Sequence, residues 1–203
     1  MPLDKGIELE KLTDEELISN FQNGDEDAYA EIVKRYKDKL SNFLYRYVGN
    51  YDDCQDIAQD TLIKVYVSKH LYKEVAKFST WIYTIAINLA KTKIIKKQRF
   101  KVLSLNITSE NEEREFDIPD NAYAPDVNAN GKIQNYYIQK ALESIPEKYR
   151  KLVILRDIED FSYEEICDIS GLPMGTVKSR INRGCEKLQD LLKDIYEDLK
   201  ENE

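Results

Sequence analysis

The chain has little of what turns, breaks or crosslinks a fold. Seven glycines and five prolines in 203 residues leave few sites for tight turns. Strand-like alternation of apolar and polar residues is hard to find, so an all-helical protein is expected. There is one histidine, and the three cysteines, Cys54, Cys167 and Cys185, lie far apart with no CxxC pair. That spacing argues against a zinc site or a disulfide framework and for reduced thiols in a cytoplasmic protein. No apolar run approaches the roughly 18 residues that span a bilayer. The amino-terminal "MPLDKGIELEKLTDEEL" is acidic and lacks the apolar core of a secretory signal. No membrane insertion, cofactor, metal or catalytic set is expected. An enzyme is the least supported class, because His70 stands beside lysines with no carboxylate pair at an identifiable pocket.

Charge is abundant but uneven. The chain holds 30 Lys and Arg against 38 Asp and Glu, a net charge of −8. Residues 1–31, 106–130 and 190–203 carry −8, −6 and −4, which leaves +10 on the remainder. Fields are screened within about 10 Å at moderate salt, so local charge decides where a polyanion docks. An acidic total therefore does not exclude nucleic-acid binding.

The helical pattern divides in two. Thr13 followed by Glu16 forms a capping box. After the break at "NGD", positions 28, 32, 33, 36, 40, 43, 44 and 47 make an apolar stripe, ended by Gly49 and Asn50. "YDDCQDIAQDTLIKVY" opens a third helix that Asp52 or Asp53 can cap, with Asp56, Gln59, Asp60 and Lys64 on its polar side. A fourth helix, with Ser79 as its expected cap, buries Trp81, Ile82, Ile85, Ala86 and Leu89. It then runs into six bases, Lys91, Lys93, Lys96, Lys97, Arg99 and Lys101, with no acid among them. Residues 105–131 have no helical period and read as a flexible acidic linker. Helical patterning returns from 132, with Pro146 suited to a first turn and a capping box at Ser162 and Glu165.

Two segments point to DNA. From Ser162 to Leu188, two helices joined by "SGLP" carry Ile166, Ile169, Leu172, Val177 and Ile181 at the spacing that packs a helix-turn-helix. Lys178, Arg180 and Arg183 can reach phosphates or guanine edges, and Thr176, Ser179 and Asn182 phosphates or bases near the helix start. The bland alternative is a helical hairpin with a solvated basic face. In Phe78–Lys101, lysines beside Tyr66, Tyr72, Phe78, Trp81 and Tyr83 have the composition of a single-strand binder. There too a solvated face is the competing reading, and Trp81 fits the core better than a stacking role. Phe78 and the loop "HLYKEVAK" are better placed to touch a base.

These segments carry a family resemblance. "YDDCQDIAQDTLIKVY", "FSTWIYTIAINLAKTKIIKKQR" and "ALESIPEKYRKLVILRDIEDFSYEEICDISGLPMGTVKSRINRGCEKLQDLL" occur in this order. They resemble the polymerase-binding helix, the melting and minus-ten helix, and the minus-thirty-five domain of extracytoplasmic-function sigma factors, of the sigma-70 family, of bacterial RNA polymerase. The resemblance covers about residues 11–192. It implies a region 2 domain over 1–104, a linker over 105–131 and a region 4 helix-turn-helix domain of four helices over 132–203. Asp56, Gln59, Asp60 and Lys64 would face the clamp of the largest polymerase subunit, and the flap of the second-largest would hold region 4. Tyr72, Phe78, Asn88, Lys91, Lys96 and Lys97 would serve minus-ten DNA. Arg156, Tyr163, Glu164, Thr176, Lys178, Ser179, Asn182 and Arg183 would serve minus-thirty-five DNA. It also implies an anti-sigma partner and a stress or envelope-related regulon. The chain departs from the family pattern at Ile87 and Lys178, where arginine is frequent, at Thr92, where an acid or amide is frequent, and near Tyr66, where tryptophan is. A transcription regulator with a sensing or dimerising helical domain is the alternative, and a purely protein-binding helical module a third reading.

Overall fold

The computed structural model describes residues 8–105 and 129–201, and among these residues all regular structure is helical. A short turn at 8–11 precedes α1 (Asp14–Gln22), α2 (Glu26–Val48), α3 (Tyr51–Val67), a 3-10 turn (Lys69–Leu71) and α4 (Phe78–Leu105). After the undescribed stretch come α5 (Ala129–Ser144), α6 (Glu147–Val153) running into a π-helical segment (Ile154–Ile158), α7 (Tyr163–Ser170) and α8 (Met174–Glu201). The expected linker lies almost wholly outside the described residues.

Local chemistry sets most boundaries. Thr13 forms the reciprocal capping box with Glu16 at the start of α1. Gly49 ends α2 at φ 81, a left-handed conformation that glycine adopts without the Cβ penalty. Two expected caps are replaced. Asn50, not Asp52 or Asp53, caps α3 by accepting from the Asp53 N–H at 2.9 Å. The α4 start uses no local cap at Ser79; its Phe78 N–H donates to the Glu15 carboxylate of α1 at 2.9 Å. A carboxylate from elsewhere in the fold can satisfy a helix's orphan donors as well as a local one.

The expected α2 stripe is buried from Ala28 to Tyr47 with Val33 at its edge, and it packs against α1, α3 and α4. Those helices bring Leu17, Ile18 and Phe21, Ile57, Leu62 and Val65, and Phe78, Ile82 and Ala86 into the same core. The carboxy-terminal half packs around Leu142, Leu152, Ile154, Leu155, Ile166, Val177 and Ile181. The two halves are not separate cores: their buried residues form one contiguous cluster, in which α2 meets α5, α6 and the π segment, and α4 meets α7.

Candidate nucleic-acid and polymerase interfaces

The helix-turn-helix is assembled from short-range signals. Ser162 Oγ accepts from the Glu165 N–H at 3.2 Å and Glu165 Oε2 from the Ser162 N–H at 2.8 Å, which starts α7. Gly171 closes it at φ 67, and α8 begins three residues later at Met174. Ile166, Ile169, Val177 and Ile181 are buried between the two helices, with Leu172 half-buried beside them. This core turns Lys178, Ser179, Asn182 and Arg183 of α8 and Glu164 of α7 to solvent, with Thr176 half-buried at the start of the helix.

Arg156 reaches the same surface from the π segment, an element the sequence pattern did not reveal. There the Glu159 N–H donates to the Ile154 carbonyl at 3.0 Å, a five-residue spacing, and Asp160 follows at φ 58. Arg156 donates to the Phe161 carbonyl at 2.9 Å, and its guanidinium lies 4.9 Å from the Tyr163 ring centre. Lys178 Nζ lies 5.4 Å from that ring. One aromatic ring thus holds a cation from the π segment and another from α8, within cation–π range.

The amino-terminal half is organised differently from its sequence pattern. Asn88, Lys91, Lys96 and Lys97 are exposed along α4. Tyr72 and Phe78 are not surface rings: they are 7% and 0% exposed. Phe78 packs edge-on against Tyr36 and Tyr72, and Trp81, half-buried, leans on both Tyr72 and Phe78. Tyr72 Oη donates to the Ala76 carbonyl at 2.9 Å, which braces the loop between the 3-10 turn and α4, and in this conformation neither ring offers a face to a base.

Asp56, Gln59, Asp60 and Lys64 are all exposed on α3. Asp56, Gln59 and Asp60 form one wall of a groove of about 440 Å³ whose other wall is Leu89, Thr92, Lys93 and Lys96 of α4. Two residues without an assigned role join the walls. Asp53 pairs with Lys93 at 3.2 Å and with Lys97 at 2.5 Å, and Lys93 pairs with Asp56 at 2.9 Å. Burial acts to raise the Asp53 carboxyl, but hydrogen bonds from Lys97 and Lys93 outweigh it and hold it below the usual carboxylate range. A run of bases without acids in sequence is relieved in space by acids one helix away.

Burial pushes the Cys54 thiol up to about 12, so it is a packing group rather than a nucleophile. Among the described residues no cluster of three or more His, Cys, Asp or Glu is arranged to hold a metal, and no helix is long and apolar enough to cross a membrane.

The chain thus carries a charged groove between α3 and α4 and a helix-turn-helix. Residues 32–100 match the family model "Sigma-70 region 2" and residues 136–188 match "Sigma-70, region 4". The ECF RNA polymerase sigma factor SigW of Bacillus subtilis (strain 168) is 37% identical over 180 residues, 88% of this chain and 96% of the relative. The chain belongs to the extracytoplasmic-function RNA polymerase sigma factors. The sigma-E factors of Haemophilus influenzae and Escherichia coli K12 are each 31% identical, across 92% of this chain and 98% and 97% of theirs. The sigma factor RpoE of Bartonella quintana, solved with the anti-sigma factor NepR, superposes with a TM-score of 0.65 at 25% identity over 81% of this chain and 96% of that one. CnrH, solved with the cytosolic domain of CnrY, superposes at 0.66 over 89% of this chain and 97% of that one; its 18% identity speaks to the fold. As a member of this family the chain directs promoter-dependent transcription initiation, and the alternative of a ligand-sensing regulator is not favoured.

Proposed function

We propose that this sigma factor acts by binding alone, through three surfaces. Region 2, residues 1–104, would engage the polymerase clamp through Asp56, Gln59, Asp60 and Lys64 and hold minus-ten DNA along Asn88, Lys91, Lys96 and Lys97. Tyr72 and Phe78 would support that site by fixing the loop above them. Region 4, residues 132–203, would dock on the polymerase flap and read minus-thirty-five DNA through Arg156, Tyr163, Glu164, Thr176, Lys178, Ser179, Asn182 and Arg183. Residues 105–131 would tether the two, and tethering lets each site bind weakly on its own. Melting would draw on capture of an extruded base, since flipping costs a few kcal/mol that a pocket offsets. The protein would work in the cytoplasm and answer to an anti-sigma factor.

The observation that carries this reading is the surface shared by α7, α8 and the π segment. It gathers two cations on one ring, with Ser179, Asn182 and Arg183 of α8 exposed on the same helix. In vitro transcription with sigma-free core polymerase and a library of genomic promoter fragments tests it. Specific initiation from a subset of promoters is expected. Failure both to bind core and to initiate from any fragment would overturn it.

A further inference from the structure

Helix α1 gives Leu17, Ile18 and Phe21 to the core, yet two of its polar side chains serve one loop. The Gln22 side-chain amide donates to the Lys69 carbonyl at 2.6 Å and to the Tyr72 carbonyl at 3.1 Å. The Lys69 ammonium returns the contact. It donates to the Phe21 carbonyl at 2.8 Å and stands 3.9 Å from the centre of the buried Phe21 ring. At the far end of the loop the Phe78 N–H donates to Glu15 at 2.9 Å. Glu15 and Gln22 are two helical turns apart, so they lie on one face of α1 with about 10 Å between them. Between these anchors residues 73–77 are exposed throughout, and Val75 is 90% exposed.

The chemistry suits a mount for the loop. A primary amide carries two N–H donors on one nitrogen, so a single side chain can hold two backbone carbonyls at once. Those carbonyls fix the exit of the 3-10 turn, and the Glu15 carboxylate fixes the start of α4. The backbone is set at both ends while the side chains between them face solvent, so a ligand meets a loop that needs little further ordering. We infer that Gln22 is a positioning residue for minus-ten base capture, and that α1, through Gln22 and Glu15, holds the capture loop in register with α4. The inference rests on the proposed reading in which this loop receives an extruded base. The two carbonyls sit at a half-buried turn. On loss of the amide they turn to water, and the loop gains conformations without unfolding the domain. Capture then has to order the loop as well as flip the base.

The test uses the full chain with core polymerase and a promoter fragment recovered by in vitro transcription from the genomic library. An abasic nucleotide is stepped through the non-template strand of its minus-ten element, and opening is timed by the permanganate reactivity of unpaired thymines. In the wild type, one position should slow opening by about tenfold or more, which marks the base the loop holds. Gln22→Leu should slow opening of the intact promoter by about five- to twentyfold. At the sensitive position its abasic penalty should shrink to about twofold or less, because a misplaced loop has little left to lose there. Penalties at the other positions and core affinity should stay within about twofold of wild type. If Gln22→Leu fails to fold, Gln22→Glu reads the same shift, since a carboxylate keeps the shape and offers no donor. Slowing that leaves the full penalty at the sensitive position overturns the inference, because a merely structural role lowers every template alike. Opening at the wild-type rate overturns it too. A wild-type chain indifferent to every abasic position overturns the base-capture reading, and the inference falls with it.

Discussion

Replacing Gly184 by alanine tests how tightly α8, the helix proposed to read minus-thirty-five DNA, is bolted to its own domain. Gly184 lies on α8 directly after Arg183, where α8 crosses α6. A Cβ there would stand 2.5 Å from Val153 Cγ2 and 3.3 Å from Tyr149 Cβ. Carbon atoms pack at about 3.5–4.0 Å, so something must move by about 1 Å. Val153 is buried and β-branched on a helix, which leaves it one favoured rotamer, so the backbones must part. Overpacking of this kind costs about 1–3 kcal/mol, while alanine for glycine in a helix interior returns about 1 kcal/mol. The net expectation is a loss of up to about 2 kcal/mol, or several degrees in Tm for a chain of this size. Gly175, on the same helix with nothing within 4 Å of an added Cβ, supplies the control. Gly175→Ala should stabilise by about 0.5–1 kcal/mol through the unfolded chain alone. Denaturant unfolding of both variants should therefore separate them by about 0.5–3 kcal/mol, and Val153→Ala combined with Gly184→Ala should recover part of the difference. Minus-thirty-five affinity by fluorescence anisotropy should fall for Gly184→Ala, because the shift moves Arg183. Equal stabilisation by the two alanines would refute the argument.

Four further outcomes are expected. Lys178→Ala and Arg183→Ala should each weaken binding to minus-thirty-five DNA by about 1–3 kcal/mol if they read bases, whereas a uniform loss with a shallower salt dependence marks phosphate contacts. Asp56→Lys should weaken core polymerase binding about tenfold in a pull-down titration without lowering Tm, since the side chain is 70% exposed. Phe78→Ala should cost about 3–5 kcal/mol in denaturant unfolding, the range for a fully buried ring. Glu159 gives a pH signature: burial raises its carboxyl, against the Tyr83 hydrogen bond and the charges of Arg46 and Lys39, with Asp160, Lys77 and Glu165 lining the same cleft. A carboxyl raised in the folded state contributes stability below its ordinary value near 4.5 and loses it as pH climbs through the raised value. Glu159→Gln should flatten that decline in a stability-against-pH series.

The fold was legible where the signal is local. Thr13 with Glu16, Ser162 with Glu165, Gly49 and Gly171 each fix a helix end by contacts within a few residues, and the α2 stripe reports its core face directly. What was not legible has more than one cause, chief among them a partner distant in sequence. Glu15 caps α4 from 63 residues away, so Ser79 is not needed. The π segment at Ile154–Ile158 is held by a five-residue hydrogen bond that hydrophobic periodicity does not encode. The glycine at 184 is set by the approach of α6, which no pattern within α8 announces.

The same cause explains what the candidate site hid. The acid-free run from Lys91 to Lys101 argued for nucleic acid because no acid stood near it in sequence, yet Asp53 and Asp56 meet Lys93 and Lys97 in space. Asp53 and Lys93 are half-buried while Asp56 and Lys97 are exposed, and pairs that reach the surface are worth about 0–1 kcal/mol, so the buried apolar contacts rather than these pairs hold α3 to α4. Their consequence is selective. Lys93 and Lys97 have carboxylate partners in the free protein, while Lys91 and Lys96 carry charge with no ion pair among the described contacts. Because Asp56 also belongs to the surface proposed for the clamp, a cation from the polymerase that takes Asp56 would withdraw one of the two acids facing Lys93. That would raise the positive potential of α4 where DNA arrives. Polymerase binding and minus-ten binding would then be linked through one shared carboxylate, a coupling that residue types and spacing along the chain cannot express.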